Sequence, residues 1–211
     1  MARLAYWGAM SASPRSDEEL MLAYAAGDAA AFDVLYARHK GGVYRYLLRH
    51  CRRSAIADEL FQDVWSNLVR ARASYAPTAR FTTWLYRLAH NRWIDQLRAD
   101  GHLKLVSADD DPGQDALAAI PARRADEPPS RAEARELGER LRAAVAALPP
   151  AQRDAFLLQQ EGGLSLAEIA ELTGAGTETV KSRIRYALAR LRQALAGEVR
   201  DLDGGLREEL G

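Results

Sequence analysis

Apolar residues recur at steps of three and four along nearly the whole chain, and alternating runs of β-branched residues are missing. That period belongs to a helix face and not to a pleated strand, so the sequence predicts an all-α fold. Helix signals then divide the chain. Ser16-Asp-Glu-Glu19 reads as a capping box, serine and glutamate satisfying each other's end amides, and opens a short helix to about Ala26. Gly27-Asp28 interrupts it. A longer helix follows, with Phe32, Leu35, Tyr36, Val43, Tyr44 and Leu47 near one face. Ser54 is placed to cap a third helix reaching about Arg72. The polar turn Ser74-Tyr-Ala-Pro-Thr78 separates it from a fourth helix, Phe81 to Arg98.

Residues 99–130 differ in kind. Asp109-Asp110-Asp111-Pro-Gly, Asp115, Pro121 and Glu127-Pro-Pro129 read as a flexible, acidic linker punctuated by proline. Helical spacing returns from Arg131, with Leu137, Leu141 and Val145, and breaks at Leu148-Pro-Pro150 before a helix from Ala151 to about Glu161. The expected organisation is two small helical domains, residues 17–98 and 131–196. An extension (1–16) precedes them, the linker (99–130) joins them, and an acidic tail (197–211) follows.

The chain holds 29 basic and 29 acidic residues, a formal net charge of zero. No segment is neutral, however. Residues 17–98 carry 12 basic and 9 acidic groups, net +3, and residues 131–196 carry 10 and 8, net +2. The linker carries 3 and 7, net −4, and the tail 2 and 5, net −3. No apolar run approaches the roughly 18 residues of a membrane span. The first 16 residues lack the apolar core of a signal peptide, so a cytoplasmic location is expected. Cys51 is alone, which excludes an internal disulfide and a multi-cysteine zinc site. His39, His50, His90 and His102 form no ligand-spaced pair. Asp109–Asp111 could hold Mg²⁺, but no phosphate-cradling glycine loop accompanies them. No cofactor, no metal and no catalytic residue are expected.

The second block carries the sharper signal. Ser165 and Glu168 form another capping box, with Leu164 and Ile169 as the hydrophobic staple around it. Gly174 can take the left-handed conformation that ends this helix and re-aims the chain. Thr177 is placed to cap a last helix through about Ala196, with an apolar seam of Val180, Ile184, Leu188, Leu191 and Leu195. Helix, short glycine turn and second helix is the helix-turn-helix plan. Thr177, Glu178, Thr179, Lys181, Ser182, Arg183 and Arg185 lie in the first turns of the second helix. A recognition helix presents its N-terminal residues to base edges there.

In the first block, Asp58, Glu59, Gln62, Asp63 and Ser66 make a polar stripe beside the apolar face of Leu60, Val64 and Leu68. The fourth helix packs Phe81, Trp84, Leu85 and Leu88 inward. Thr83, Arg87, Asn91 and Arg98 lie near one flank, with Arg80 and Arg92 close by. Tyr75, Tyr86 and Trp93 interleave with these cations, a mixture suited to phosphate and to the bases of single strands. Trp93 is equally compatible with core and with stacking platform. The residues leave open a promoter-directing factor or a stand-alone helix-turn-helix regulator.

Asp28-Ala-Ala-Ala-Phe-Asp-Val-Leu-Tyr36, Ala57-Asp-Glu-Leu-Phe-Gln-Asp-Val-Trp65, Phe81-Thr-Thr-Trp-Leu-Tyr-Arg-Leu-Ala-His-Asn-Arg92 and Ile94-Asp-Gln-Leu-Arg98 resemble region two of extracytoplasmic-function (ECF) sigma factors. Leu148-Pro-Pro-Ala-Gln-Arg153, Glu161-Gly-Gly-Leu-Ser-Leu-Ala-Glu-Ile-Ala170 and Thr179-Val-Lys-Ser-Arg183 resemble their region four. The resemblance implies a sigma factor that directs core RNA polymerase to promoters and catalyses nothing itself. It implies that Asp58, Glu59, Gln62, Asp63 and Ser66 dock on the clamp helices of the β′ subunit, and that region four meets the β flap. It implies that Arg80, Thr83, Arg87, Asn91, Arg92 and Arg98 handle an unpaired −10 element, with the loop Ser74–Arg80 capturing a base. Thr177, Glu178, Thr179, Lys181, Ser182, Arg183 and Arg185 would read a duplex −35 element. An anti-sigma factor is an implied partner. The linker is expected to thread toward the basic RNA-exit channel as a temporary mimic of nucleic acid.

Overall fold

The computed structural model describes residues 15–51, 53–101 and 131–208, and among them there are helices and no strands. The extension to residue 14 and linker residues 102–130, with Asp109–Asp111, lie outside the described residues.

Four helices build the first bundle: α1 (Asp17–Ala25), α2 (Ala29–His50), α3 (Ser54–Ala71) and α4 (Phe81–Ala99), with a 3₁₀ turn at Arg72–Ser74. The Ser16–Glu19 capping box forms as the sequence requires. Gly27, at φ +107°, turns the chain, and the Asp28 carboxylate caps α2 by accepting from the Ala31 amide at 3.3 Å. Two starts differ from expectation. Ser54 is the first helical residue and not the cap; Arg53 holds the cap position without a side-chain bond, and its own carbonyl accepts from the Ala57 amide. At α4, the cap residue Arg80 likewise supplies no side-chain bond. Glu18 reaches over from α1 instead, accepting from the Phe81 amide at 2.7 Å. That bond holds the Glu18 carboxyl below its ordinary range.

Leu35, Val43, Leu47, Val64, Leu68, Phe81, Leu85 and Ala89 are fully enclosed between these helices. Trp93 belongs to the core: it is buried and stacks on the His50 ring at 3.9 Å. Trp84 is half-buried and meets Tyr75 edge-on at 5.0 Å.

The second bundle comprises α5 (Arg131–Ala147), α6 (Pro150–Gly162), α7 (Leu166–Thr173) and α8 (Thr177–Glu208). Pro150 starts α6 where its missing N–H costs nothing, and Gly163, at φ +61°, ends it. The Ser165–Glu168 box and Gly174 at φ +67° appear where the sequence put them. The final helix departs twice. It begins at Thr177 itself, the Gly176 carbonyl accepting from the Val180 amide, so Thr177 is not a preceding cap. It also runs to Glu208, well past Ala196, and so takes in most of the expected tail. Val199, Leu202 and Leu206 continue the three-four spacing from Leu195, which explains why no stop occurs at Gly197.

The bundles are not beads on a string. Helix α6 lies against α2 and α4, and α5 also touches α2. Gly42 makes the approach possible: a Cβ there would stand 2.7 Å from the Tyr86 hydroxyl and 3.3 Å from the Glu161 carbonyl.

Candidate nucleic-acid and polymerase interfaces

Helix α8 offers the more open surface. Val180, Ile184, Ala187 and Leu191 are buried against α6 and α7, which fixes the rotation of the helix. Thr177, Glu178, Lys181 and Arg185 are consequently exposed, and Thr179, Ser182 and Arg183 are half-buried beside them. All seven expected −35 residues therefore sit together on the first turns. Lys181 Nζ pairs with Glu178 at 3.4 Å, and the Arg185 guanidinium lies 5.0 Å over the Tyr186 ring. Both would exchange readily for phosphate.

The flank of α4 is different. Thr83 is buried and donates to the Glu168 carboxylate of α7. Arg87 Nη2 bonds Glu171, also on α7, at 2.6 Å. Arg80 Nη1 donates to the Gly163 carbonyl at 3.1 Å and stands 3.9 Å from Glu168. Burial raises the Glu168 carboxyl, but the bonds from Thr83 and Ser165 outweigh it and leave the pKa lowered. Asn91 is exposed, and Arg98 pairs within α4, with Asp95 at 3.0 Å. Asn91 and Arg98 face Thr179 and Arg183 across a cleft of about 770 Å³ floored by Asp154. Two surfaces expected to touch different DNA elements thus look into one cleft.

On α3, Asp58, Glu59, Gln62 and Ser66 are exposed, and the Tyr44 hydroxyl steadies Asp58 at 3.0 Å. Asp63 is half-buried and engaged by Arg92 of α4. One residue of the expected docking stripe is therefore bound to one of the expected −10 residues.

A polar network between the bundles has no counterpart in the local sequence pattern. Asp154 of α6 is buried and accepts from the Tyr46 hydroxyl at 2.8 Å. His50 Nε2 lies 3.4 Å from Asp154 Oδ1, and His90 Nδ1 lies 3.3 Å from Oδ2. Burial opposes the Asp154 charge, but the two imidazoles outweigh it and hold the carboxyl well below the usual range. At the rim, Glu161 receives Arg45 at 2.9 Å and Arg49 at 2.6 Å, and its carbonyl accepts from Tyr86 at 2.7 Å. These partners are 75 to 116 residues apart, beyond any local pattern. Burial pushes the Cys51 thiol up to about 11, so it carries no reactive thiolate near neutrality. Among the described residues, no group of three could hold a metal ion and no helix is long and apolar enough to cross a membrane.

Comparison with known proteins covers both bundles. A family model described as Sigma-70 region 2 matches residues 35–102, and one described as Sigma-70, region 4 matches residues 138–191. The chain is 33% identical over 182 residues to the ECF RNA polymerase sigma factor SigM of Mycobacterium tuberculosis, covering 86% of this chain and 85% of that one. It is 32% identical over 165 residues to the RNA polymerase sigma factor CarQ of Myxococcus xanthus, covering 78% and 89%. Among solved structures, CnrH in complex with the cytosolic domain of CnrY aligns with a TM-score of 0.60 at 23% identity, over 87% of this chain and 99% of that chain. The sigma factor RpoE of Bartonella quintana, solved with the anti-sigma factor NepR, aligns with a TM-score of 0.56 at 20% identity, over 78% and 96%.

Proposed function

The chain belongs to the ECF RNA polymerase sigma factors and directs that polymerase to promoters, and on that premise we propose which of its surfaces meet which partner. Helix α8 reads the −35 duplex in the major groove. Lys181, Ser182, Arg183 and Arg185 contact base edges and phosphate, and Thr177, Glu178 and Thr179 set the helix start on the backbone. The exposed polar turns of α8, held outward by a buried seam, are the observation that carries this reading.

The α4 flank takes the −10 strand once it is unpaired. Arg80, Arg87, Arg92 and Arg98 neutralise phosphate, while Thr83 and Asn91 supply hydrogen bonds beside them. The stripe Asp58, Glu59, Gln62, Asp63 and Ser66 docks on the β′ clamp helices, and region four meets the β flap. The bundles part when core polymerase binds, which frees Arg80, Thr83 and Arg87 from α7. Chemistry on nucleotides belongs to the polymerase, and sigma factors as a class are initiation factors. The factor acts in the cytoplasm, at the nucleoid when active, and an anti-sigma factor holds it otherwise; one fold relative was solved with such a partner.

Run-off transcription with core polymerase tests the reading. Promoter-specific transcripts are expected with core, together with little duplex binding by the free protein. Tight palindromic duplex binding without core, and no core binding, would mark a stand-alone regulator instead.

A further inference from the structure

The cluster between the bundles contains two imidazoles and one carboxylate. His50 and His90 both lie within 3.4 Å of Asp154, and all three residues are buried. One proton shared with the carboxylate leaves the cluster neutral. A second proton adds a buried cation with no anion to match it, which the closed form disfavours. The two histidines come from the first bundle and the aspartate from the second, so separation of the bundles delivers all three to water. We propose that this cluster is an acid-released latch: it holds the bundles together near neutral pH, and protonation of its second imidazole drives them apart.

The surroundings sharpen the sign. On α2, Tyr46 faces the cluster through its hydroxyl, which is spent as a donor to Asp154, and Cys51 follows as a neutral thiol. On α4, Trp93 stacks on His50, Tyr86 packs against Tyr46, and the Asp100 carboxylate lines the same groove and acts on the Cys51 thiol beside His50. On α6, Arg153 adds positive charge next to Asp154; Arg142 of α5 lines the same groove, as do Arg45, Arg49 and Arg53. The carboxylate of Glu161 is already occupied by Arg45 and Arg49 at the rim. On the other side, Asp95 and Arg98 of α4, Glu171 of α7 and Arg183 of α8 line the cleft that His90 and Asp154 share. Burial first, with Arg153 and His90 adding to it, leaves His50 below the ordinary imidazole value despite Asp154. A base whose pKa is depressed in the closed form supports that form fully above its open-state value. The support is lost as pH falls through about 6.5.

For one such imidazole, the open-to-closed ratio rises by at most about tenfold between pH 7.5 and 5.5. The ratio is read from small-angle X-ray scattering of the full-length protein, with circular dichroism on the same samples. No polymerase or DNA is needed, so the outcome is separate from that of the promoter reading. The expected result is an increase in radius of gyration on acidification at constant helicity. His50→Gln and His90→Gln each remove the second proton, and either variant should hold its pH 7.5 dimensions down to pH 5.5. Dimensions that do not change with pH in the wild type overturn the proposal. So does expansion that accompanies loss of helix, or an undiminished response in both variants.

Discussion

The two surfaces proposed to meet DNA are built from the same materials and stand in opposite conditions. On α8 the cations and hydroxyls project from a seam buried within their own bundle, and Lys181 pairs with Glu178 one turn back along the helix. On α4 the comparable side chains are met by acids of the other bundle: Thr83 by Glu168, Arg87 by Glu171. On the proposed reading, those carboxylates occupy the positions of the −10 phosphates. Lys181 and Arg185 are exposed on the first, whereas Thr83 and Arg87 on the second are held by the other bundle.

Removing the buried anion should break this contrast most completely. Asp154→Ala leaves the Tyr46 hydroxyl without its acceptor and removes the carboxylate beside His50 and His90, a loss of about 3–5 kcal/mol by the usual cost of breaking a buried pair. Its expected signature is an expanded particle at neutral pH with both bundles still helical, read by scattering and circular dichroism. Next in size is a test of the exposed surface. Lys181→Ala or Arg185→Ala should each reduce −35-dependent run-off transcription, with about 1–3 kcal/mol lost per residue that makes a good base contact. The closed arrangement should be untouched by either change.

Glu171→Gln sharpens the comparison from the covered side. Its pair with Arg87 is exposed, so no more than about 1 kcal/mol of closure should be lost, and the loss should shrink as salt is added. A pH-dependent effect comes from Glu18→Gln. Its carboxyl is depressed by the Phe81 amide, so the bond contributes above the ordinary carboxyl value of about 4.3 and is lost as pH falls below it. Thermal unfolding at pH 7 should show a deficit of about 0.5–1 kcal/mol, a typical cap contribution, that vanishes near pH 3.

Most of the fold was legible because its signals are local. Ser165, Glu168 and Gly174 lie within ten residues, and periodicity alone rotates α8 correctly. The misreadings were also local in origin. Ser54 and Thr177 have the right chemistry for caps, but each lies one residue inside its helix, with the cap role falling to the backbone of Arg53 and Gly176. The cap of α4 was unreadable, since Glu18 lies 63 residues away. The same holds for Asp154 and its partners. Nothing near Pro150 in sequence announces that a carboxylate four residues on will be enclosed by two histidines of another bundle. Thr83 illustrates the limit well: its helix face was readable, but what covers that face was not.

Gly42 gives the arrangement a tolerance. The gap between the bundles at that point is filled by the Tyr86 hydroxyl and the Glu161 carbonyl, with no room for one more carbon. A single methyl group at residue 42 would therefore loosen closure without altering any residue assigned to polymerase or promoter. Through such a position, a lineage of these chains could retune how readily the factor answers its signal while its choice of promoters stays fixed.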